Sequence, residues 1–306
     1  MARRAQGFQT ELFVKPARSH VQEGLIMRKR LSVVFPLLIL LAGLALIMYP
    51  RLSDWWNSYH QSRAIIHYAE EVSDMDEAEK AGMWESAEEY NEKLTAKAPH
   101  WLLTKAEWAD YESQLDVTGT GIMGYVEIPR IKCSLPIYHG TEDSVLSAGI
   151  GHIEGSSLPI GGENTHCILS GHRGLPSAKL LTDLDKMEEG DVFYLHVLEE
   201  TLAYKVDKIN TVEPDDLKKL EIQEGQDLCT LVTCTPYGIN SHRLLVRGHR
   251  IAIMGQAAND IMQEMQKPQP SIWKLILKLV VLPVILIIAI LTGWRIYRKK
   301  TIKEKR

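Results

Sequence analysis

A thiol and a guanidinium stand at the ends of two successive apolar segments of this chain. Cys234 ends the segment DLCTLVTC, and Arg243, nine residues later, opens the segment RLLVRGHRI. A cysteine at the end of a strand is partly exposed, and it becomes a nucleophile when a nearby base or cation favours its thiolate. An arginine beside it can stabilise that thiolate or donate hydrogen bonds to an oxyanion. The pair predicts covalent catalysis by Cys234.

Eleven histidines compete for the role of acid or base beside this cysteine. His172 has the most favourable setting, because it follows the apolar segment CILS and lies between Gly171 and Gly174, where the backbone can turn sharply. His152, in GIGHIEG, is the nearest rival. The order of His before Cys differs from that of papain-like proteases. We therefore expect His172 to be the third catalytic residue.

The remaining cysteines and arginines near these segments are expected to have structural roles. The chain has four cysteines and no CxxC pair, which disfavours a zinc site built on cysteine spacing. The acidic segment from Val212 to Asp227 is interpreted as a solvated loop rather than a calcium site. We predict no metal and no cofactor. The predicted buried thiols are Cys133, Cys167 and Cys229, and the predicted surface ion pairs involve Arg173, Arg247 and Arg250.

The elements that must position these side chains are strands. From Gly124 onward, six or seven short alternating or apolar segments are separated by Gly, Pro and Asp turns, a pattern typical of a β-barrel or a β-sandwich. The spacing of the leucines predicts one helical insert from Pro176 to Met187. Residues 57 to about 115 show helical periodicity. This helical arm is either a solvated stalk or a segment that folds back over a cleft.

Two apolar segments, residues 31–49 and 276–294, are each about long enough to span a bilayer. The basic sequence MRKR precedes the first, and RIYRKKTIKEKR follows the second. Because positive charge collects on the cytoplasmic side, both termini should be cytoplasmic and the region between the spans extracytoplasmic. An uncleaved anchor is preferred to a cleaved signal peptide, because no small-x-small site follows the first span. Residues 1–26 are polar and lack periodicity, so the start codon is either that of Met1 or that of Met27.

The overall composition argues against one class of partner. The 306 residues carry a formal net charge of −4, whereas a nucleic-acid-binding protein usually presents a basic face. The hydrophobic share of 45% and the charged share of 24% are ordinary for a globular protein. We therefore expect no nucleic-acid partner, one or two domains, and the lipid bilayer as a partner through the two spans.

Several of these segments together resemble the sortase family, and within it the class C, pilin-polymerising sortases. TLVTC, residues 230–234, is similar to the family signature TLxTC, and residues 164–191 resemble the class C segment around the family's histidine. GIMGYVEIPRI, LPIYHGT, GHIEGSSLPIGG and TPYGINSHRLLVRGHRI extend the resemblance over roughly residues 120–252. The resemblance implies a mainly β fold: an eight-stranded sortase β-barrel with short helices, an N-terminal helical arm and two flanking transmembrane helices.

The resemblance also implies a reaction and the residues that perform it. Cys234, His172 and Arg243 match the catalytic three, with Thr233 of the signature as a supporting residue. They would cleave an LPxTG-like sorting signal through a thioacyl enzyme and join it to a lysine of a pilin subunit. Two alternatives stay open: a sortase that anchors surface proteins to cell-wall peptidoglycan, and a non-catalytic, membrane-held peptide-binding module.

The helical arm departs from the class C pattern at the lid. Many class C sortases cover the active site with an Asp-Pro-aromatic motif, and this arm has no Asp-Pro-Phe or Asp-Pro-Trp. The nearest region, Ala98 to Leu115, offers Trp101 and Trp108 as candidate lid residues. Packing of these tryptophans between the arm and the barrel is an equally good interpretation.

The expected layout has seven parts. They are a cytoplasmic N-terminus (1–30, of which 1–26 are of uncertain translation), a transmembrane helix (31–49), a helical arm (50–119), a catalytic barrel (120–254), a linker (255–275), a second transmembrane helix (276–294) and a basic cytoplasmic tail (295–306).

Overall fold

The computed structural model describes residues 18–97 and 101–252, together with a few positions between 277 and 297. The predicted linker, second transmembrane helix and basic tail lie almost entirely outside the described residues, as do residues 1–17. Their assignments therefore stay predictions. The chain forms two compact units, Met1–Tyr49 and Pro50–Arg306.

The N-terminal part of helix α1, which spans Arg18–Asp74, belongs to the first unit. Among the residues that the structure describes, one helical stretch, Val34–Asp74, is long and apolar enough to cross a membrane. Its N-terminal portion coincides with the first predicted span. Large apolar side chains there are exposed, as in a helix that faces lipid: Phe35, Leu38, Ile39, Leu46 and Ile47.

Helices α2 (Glu77–Thr95) and α3 (Lys105–Ser113) follow α1, and both have capped N-termini. The Asp76 side chain accepts a hydrogen bond from the first turn of α2. A capping box between Thr104 and Glu107 begins α3, with each side chain bonded to the backbone of the other residue. These polar side chains satisfy backbone N–H groups that lack partners within the helix.

The C-terminal part of α1 and helix α3 pack against the strands. Tyr68 of α1 is buried, and its hydroxyl donates to the Met123 carbonyl at 3.1 Å and accepts from the Leu198 N–H at 2.8 Å. Tyr111 of α3 is also buried, and its hydroxyl accepts a hydrogen bond from the Gly140 N–H at 2.9 Å. The arm is therefore packed onto the barrel and is not a solvated stalk.

Eight strands close into a barrel in the order β1-β2-β3-β4-β7-β8-β6-β5. This confirms the predicted eight-stranded β-barrel. The short helix α4, Asp143–Ala148, lies between β2 and β3. The strands are β1 (Ile122–Ile128), β2 (Cys133–His139), β3 (Ile150–His152), β4 (Thr165–Ser170), β5 (Val192–Val197), β6 (Glu200–Val212), β7 (Asp227–Thr235) and β8 (His242–Ile251).

The barrel interior is filled by the inward-facing members of each alternating strand. Phe193 and Tyr204 stack with ring centroids 5.6 Å apart. Gly248 faces them, and a Cβ atom there would lie 2.8 Å from the Phe193 ring, so a larger residue does not fit without a shift. Close packing of this kind makes the strand frame rigid, which is what a site at the strand ends requires.

The prediction of a helix from Pro176 to Met187 is wrong. The structure has turns there and a single 3₁₀ turn, Leu184–Lys186. Leu180 adopts a left-handed backbone conformation (φ 40°), which interrupts any helix. Leu181, Leu184 and Met187 are buried in the barrel core. Their spacing therefore reflects docking of an irregular loop onto the barrel, not the face of a helix.

Candidate active site

Cys234 and Arg243 face each other across neighbouring strands. Cys234 is the second-last residue of β7, Arg243 is the second residue of β8, and the two are direct partners in the antiparallel register. Residues directly opposite in such a pair hold their Cβ atoms about 4.5–5.5 Å apart. The structure thus brings the two sequence-predicted side chains together at one end of the barrel.

His172 reaches the same level from the other side of β7. Strand β4 runs parallel to β7, and its last residue, Ser170, is the partner of Val232. The Gly171 N–H continues this ladder by donating to the Val232 carbonyl at 3.0 Å. His172 lies two residues beyond Ser170, and Cys234 lies two residues beyond Val232. The order β4-β7-β8 therefore aligns His172, Cys234 and Arg243 at three adjacent strand ends.

Thr233 ties the nucleophile's strand to the turn that carries His172. Its side chain is 1% exposed, on the inner side of the sheet, and its Oγ1 donates to the Gly171 carbonyl at 2.7 Å. A hydrogen bond of this length between β7 and the residue before His172 restricts relative movement of the two strand ends.

The three aligned side chains are all partly exposed, as a site open to a substrate requires. Nη1 of Arg243 donates to the Asn240 carbonyl at 3.3 Å and to the His242 carbonyl at 3.2 Å, within the β7–β8 loop. Both bonds use Nη1, and a guanidinium carries five N–H donors. Among the described contacts, the other donors of Arg243 stay available to a substrate oxygen.

The sequence did not identify Arg173 as a residue of the site. It predicted a surface ion pair for this arginine, and the pair forms but does not lie at the surface. The ion pair exists, since Nη2 lies 2.6 Å from Asp185 Oδ2, but the Arg173 side chain is only 8% exposed. Its Nη1 also donates to Thr235 Oγ1 at 3.2 Å. A residue next to His172 is thus bonded to a residue next to Cys234. Position beside the histidine was the one signal in the sequence, and it does not predict burial.

The loop after His172 is also fixed to helix α1. Asn57 Nδ2 donates to the Ser177 carbonyl at 2.7 Å, and Asp54 Oδ1 accepts from the Lys179 N–H at 2.7 Å. The loop closes back on the histidine, because the Leu181 N–H donates to the His172 carbonyl at 3.2 Å. Residues in the arm thus help to hold the catalytic loop, a role that sequence periodicity alone does not indicate.

The rival histidine, His152, is buried and engaged in structural contacts. It has no exposed surface, and its Nδ1 lies 3.0 Å from the Tyr111 hydroxyl. His166 is buried too, between the Glu221 carbonyl and Thr230 Oγ1, and burial lowers its pKa to about 4. Both side chains lie in the interior and do not reach a substrate, so neither competes with His172.

All four cysteines are free thiols. Cys167 and Cys229 are partners on β4 and β7 and are buried, as predicted. Burial raises the pKa of the Cys229 thiol well above its usual range. Cys133 is partly exposed, against the prediction, although desolvation of its thiol raises the pKa to about 12. These environments keep Cys133 and Cys229 protonated and unreactive.

The two candidate lid residues lie in different places. Trp101 packs against an outer apolar cluster of β4, β6, β7, β8 and the β6–β7 loop, and its Nε1 donates to Glu221 Oε1 at 3.2 Å. Trp108 packs within α3 on Tyr111, with ring centroids 5.7 Å apart. The members of the outer apolar cluster are Ile168, Val212, Leu220, Val232 and Leu245.

No group of three or more His, Cys, Asp and Glu side chains in the described part of the chain is arranged to hold a metal ion. The predicted absence of a metal and a cofactor stays a prediction.

Comparison with known proteins adds to this geometry. The family model described as "Sortase domain" matches residues 126–251. Sortase C1 of Streptococcus agalactiae is 54% identical, covering 63% of this chain and 100% of that one, with a TM-score of 0.62. Sortase C of Streptococcus pneumoniae, studied for catalysis and pilin substrate specificity, is 49% identical. That match covers 62% of this chain and 97% of the other, with a TM-score of 0.57. Clostridium perfringens sortase C, solved with the C-terminal cell wall sorting motif, is 42% identical. That match covers 62% of this chain and 99% of the other, with a TM-score of 0.56.

Three curated sortases match at 28% to 31% identity, and the chain spans only 47% to 63% of their length.

Proposed function

This chain belongs to the sortase family, with class C sortases as its structural neighbours, and we propose that it is a membrane-anchored cysteine transpeptidase that joins pilin subunits. The observation that carries the proposal is the alignment of His172, Cys234 and Arg243 at the ends of β4, β7 and β8 inside the matched domain. The donor substrate is an LPxTG-like sorting signal. The Clostridium perfringens enzyme, solved with its sorting motif, supports that choice.

The first half of the reaction forms a thioester. The Cys234 thiolate attacks the carbonyl carbon of the threonine in the Thr–Gly bond, and the carbonyl oxygen becomes an oxyanion. Arg243, directly opposite, donates hydrogen bonds to that oxygen. The C–N bond then breaks, and the His172 imidazolium gives its proton to the departing glycine nitrogen. The free amine leaves, and the threonine acyl group stays on sulfur.

The second half transfers the acyl group to an amine. A lysine of the acceptor enters beside the thioester, and neutral His172 takes a proton as the lysine nitrogen attacks the carbonyl carbon. The C–S bond breaks, and the thiolate and imidazolium are restored. The product is an isopeptide bond. A pilin lysine is proposed as the acceptor because the structural neighbours are class C enzymes, one of them studied for pilin specificity.

The membrane topology belongs to the same proposal. The apolar part of α1 would anchor the N-terminus, and residues 276–294 would form a second span, leaving the barrel outside and both termini in the cytoplasm. This orientation places the site where secreted subunits emerge. Accessibility of an epitope at each terminus in intact and permeabilised cells would distinguish the two-pass topology from a single pass.

One experiment separates the proposed function from its alternatives. The full-length protein is incubated with an LPxTG-like peptide, and the intact protein mass is measured before and after hydroxylamine, which cleaves thioesters. A hydroxylamine-sensitive adduct on the Cys234 peptide supports transpeptidation, whereas bound peptide without an adduct supports a peptide-binding module. Mass spectrometry of the cellular product then shows either a lysine isopeptide or a cell-wall cross-bridge.

Replacing Arg243 by lysine is expected to reduce kcat for ligation by about 10²-fold. Lysine keeps the charge but lacks the planar fork that can hold the loop carbonyls and the oxyanion at once. The measurement is steady-state ligation with a sorting peptide and an amine acceptor. Arg250→Lys, at the far end of the same strand beside Asp227, is the matched control and should keep its activity. Equal activity of the two variants would exclude Arg243 from oxyanion stabilisation.

Trp101 is proposed as the lid residue, and Trp108 as a packing residue of the arm. Trp101 covers the outer apolar cluster, whose members Val232 and Leu245 lie on the strands of Cys234 and Arg243. We expect Trp101→Ala to speed alkylation of Cys234 by iodoacetamide several-fold, because it opens the path along that face. Trp108→Ala should leave the rate unchanged. Mass spectrometry of the Cys234 peptide gives both rates, and unchanged access in both variants would end the lid proposal.

A further inference from the structure

The outer face below the catalytic residues is ordered in three levels by strand register. Antiparallel partners point to the same face, and every second residue does so along a strand. Each level has one residue from β6, one from β8 and one from β7, in that order. The catalytic level consists of Val212, Arg243 and Cys234. The middle level consists of Asn210, Leu245 and Val232, and the distal level of Lys208, Arg247 and Thr230. Successive levels are two residues apart on each strand, which is about 6–7 Å.

A pocket lies over the middle and distal levels. Its volume is about 340 Å³, and the β6–β7 loop forms one wall. Leu245, Thr230 and Arg247 line its floor, and Lys208, Lys218 and Lys219 line its sides. The pocket therefore shares one continuous face with Cys234 and Arg243. The distal level is four strand residues from the catalytic level, about 13 Å, which is the length of four residues of an extended peptide.

The ionisable residues that line this pocket are all cationic. Arg247 is already neutralised, because it forms a two-point ion pair with Asp207 at 2.6 and 3.0 Å. Lys219 Nζ donates to the neutral side chain of Asn210 at 2.6 Å. Among the ion pairs of the described residues, none involves Lys208, Lys218 or Lys219. Three ammonium groups thus surround the pocket outside any ion pair of the described residues, and Asp207, the acidic residue that interacts with Lys208, is itself paired with Arg247.

The pocket lies on the arginine side of the nucleophile and not on the histidine side. Its walls come from β6, β7, β8 and the β6–β7 loop, and none of its lining residues belongs to β4. His172, at the end of β4, serves the departing amine, whereas Arg243, on β8, serves the acyl carbonyl. A peptide that runs from Cys234 toward the pocket is therefore the acyl-side segment, which precedes the scissile bond.

From this geometry we infer that the pocket is a subsite for an acidic side chain of the donor peptide, about five or six residues before the scissile bond. The inference rests on the proposed function, since it names the substrate of that same site. An Asp or Glu beyond the residues nearest the scissile bond would reach the lysines. Each exposed ion pair of this kind changes affinity by about 2- to 5-fold, so two or three acting together give about 10-fold.

The test compares donor peptides with Glu, Gln or Lys at the two positions before the leucine of an LPxTG-like signal. With the full-length protein at low salt, we expect kcat/KM for thioester formation to favour Glu over Lys by about 10-fold. The preference should shrink in 0.5 M salt, where the Debye length falls to about 4–5 Å. The charge-reversal variant Lys208→Glu/Lys219→Glu should prefer the Lys peptide.

The controls separate charge recognition from general damage. Lys93→Glu/Lys105→Glu, on exposed helical positions of the arm, should keep the preference of the unchanged protein. The neutral variant Lys208→Gln/Lys219→Gln should lose the preference for the Glu peptide without gaining one for the Lys peptide. It keeps the inference testable if the charge-reversal variant does not fold. The rate of Cys234 alkylation should be the same in all folded variants.

Four results would overturn the inference, and only the last of them would also overturn the proposed function. Thioester formation that is independent of peptide charge would remove the subsite while leaving the proposed function intact. A preference for acidic residues after the scissile bond would place the pocket on the wrong side. The lysine variants could also form the thioester at normal rates with every peptide and differ from the unchanged protein only in vesicles that contain anionic lipid. That result would assign the lysines to the membrane surface. Absence of a thioester with every peptide would overturn the proposed function and this inference together.

Discussion

Replacing Cys234 by alanine is expected to abolish thioester formation and to reduce ligation by on the order of 10⁴-fold or more. The thiol forms the covalent intermediate, and no neighbouring group can take its place. Arg243 carries no nucleophilic atom, and the imidazole of His172 would form a different, labile adduct. Binding of the sorting peptide should persist, because the outer face of β7 and β8 is unchanged. Intact-protein mass spectrometry and ligation assays measure the two effects.

Cys133→Ala is the matched control for this experiment. Cys133 is the other partly exposed thiol, but desolvation raises its pKa to about 12, so it stays protonated at neutral pH. We expect this variant to form the thioester at the normal rate. Ligation that survives in Cys234→Ala would show that the thiol is incidental and would favour the peptide-binding module.

Replacing His172 by asparagine is expected to lower kcat by about 10²- to 10⁴-fold, the range for loss of a general acid. Asparagine preserves some hydrogen bonding but neither donates a proton to the leaving amine nor provides a cation beside the thiolate. Two measurements follow from this: steady-state ligation, and the single-turnover rate of thioester formation with a sorting peptide. KM for the donor peptide should change little.

His242→Asn is the control for the histidine. His242 lies next to Arg243 in sequence and its Nε2 lies 3.2 Å from Glu213 Oε1, so its loss removes a nearby imidazole without changing Cys234, His172 or Arg243. We expect its activity to stay within a few-fold of normal. If the two histidine variants lose activity equally, the proton-transfer role belongs elsewhere.

Much of the candidate site follows from local sequence because strand ends are readable locally. Alternation in DLCTLVTC places Cys234 at the exposed end of a strand, and alternation in RLLVRGHRI does the same for Arg243. The two segments are separated by a short loop, so pairing them is the simplest arrangement. The same logic identifies a turn at His172. It fails for residues 176–187, where buried leucines at helical spacing belong to an irregular loop.

By itself, the sequence determined the strand-rich fold, the apolar helix near the N-terminus and the residue types capable of the chemistry, because alternation, length and turn residues are local properties. Only the tertiary structure decided which strands are neighbours. Parallel pairing of Ser170 with Val232 joins segments 62 residues apart, and no local pattern encodes that contact. The same long-range packing buried Arg173, separated Trp101 from Trp108, and gathered three lysines around one pocket on the outer face of the barrel. Such contacts depend on how the whole chain closes into a barrel, which is a collective property of its packing.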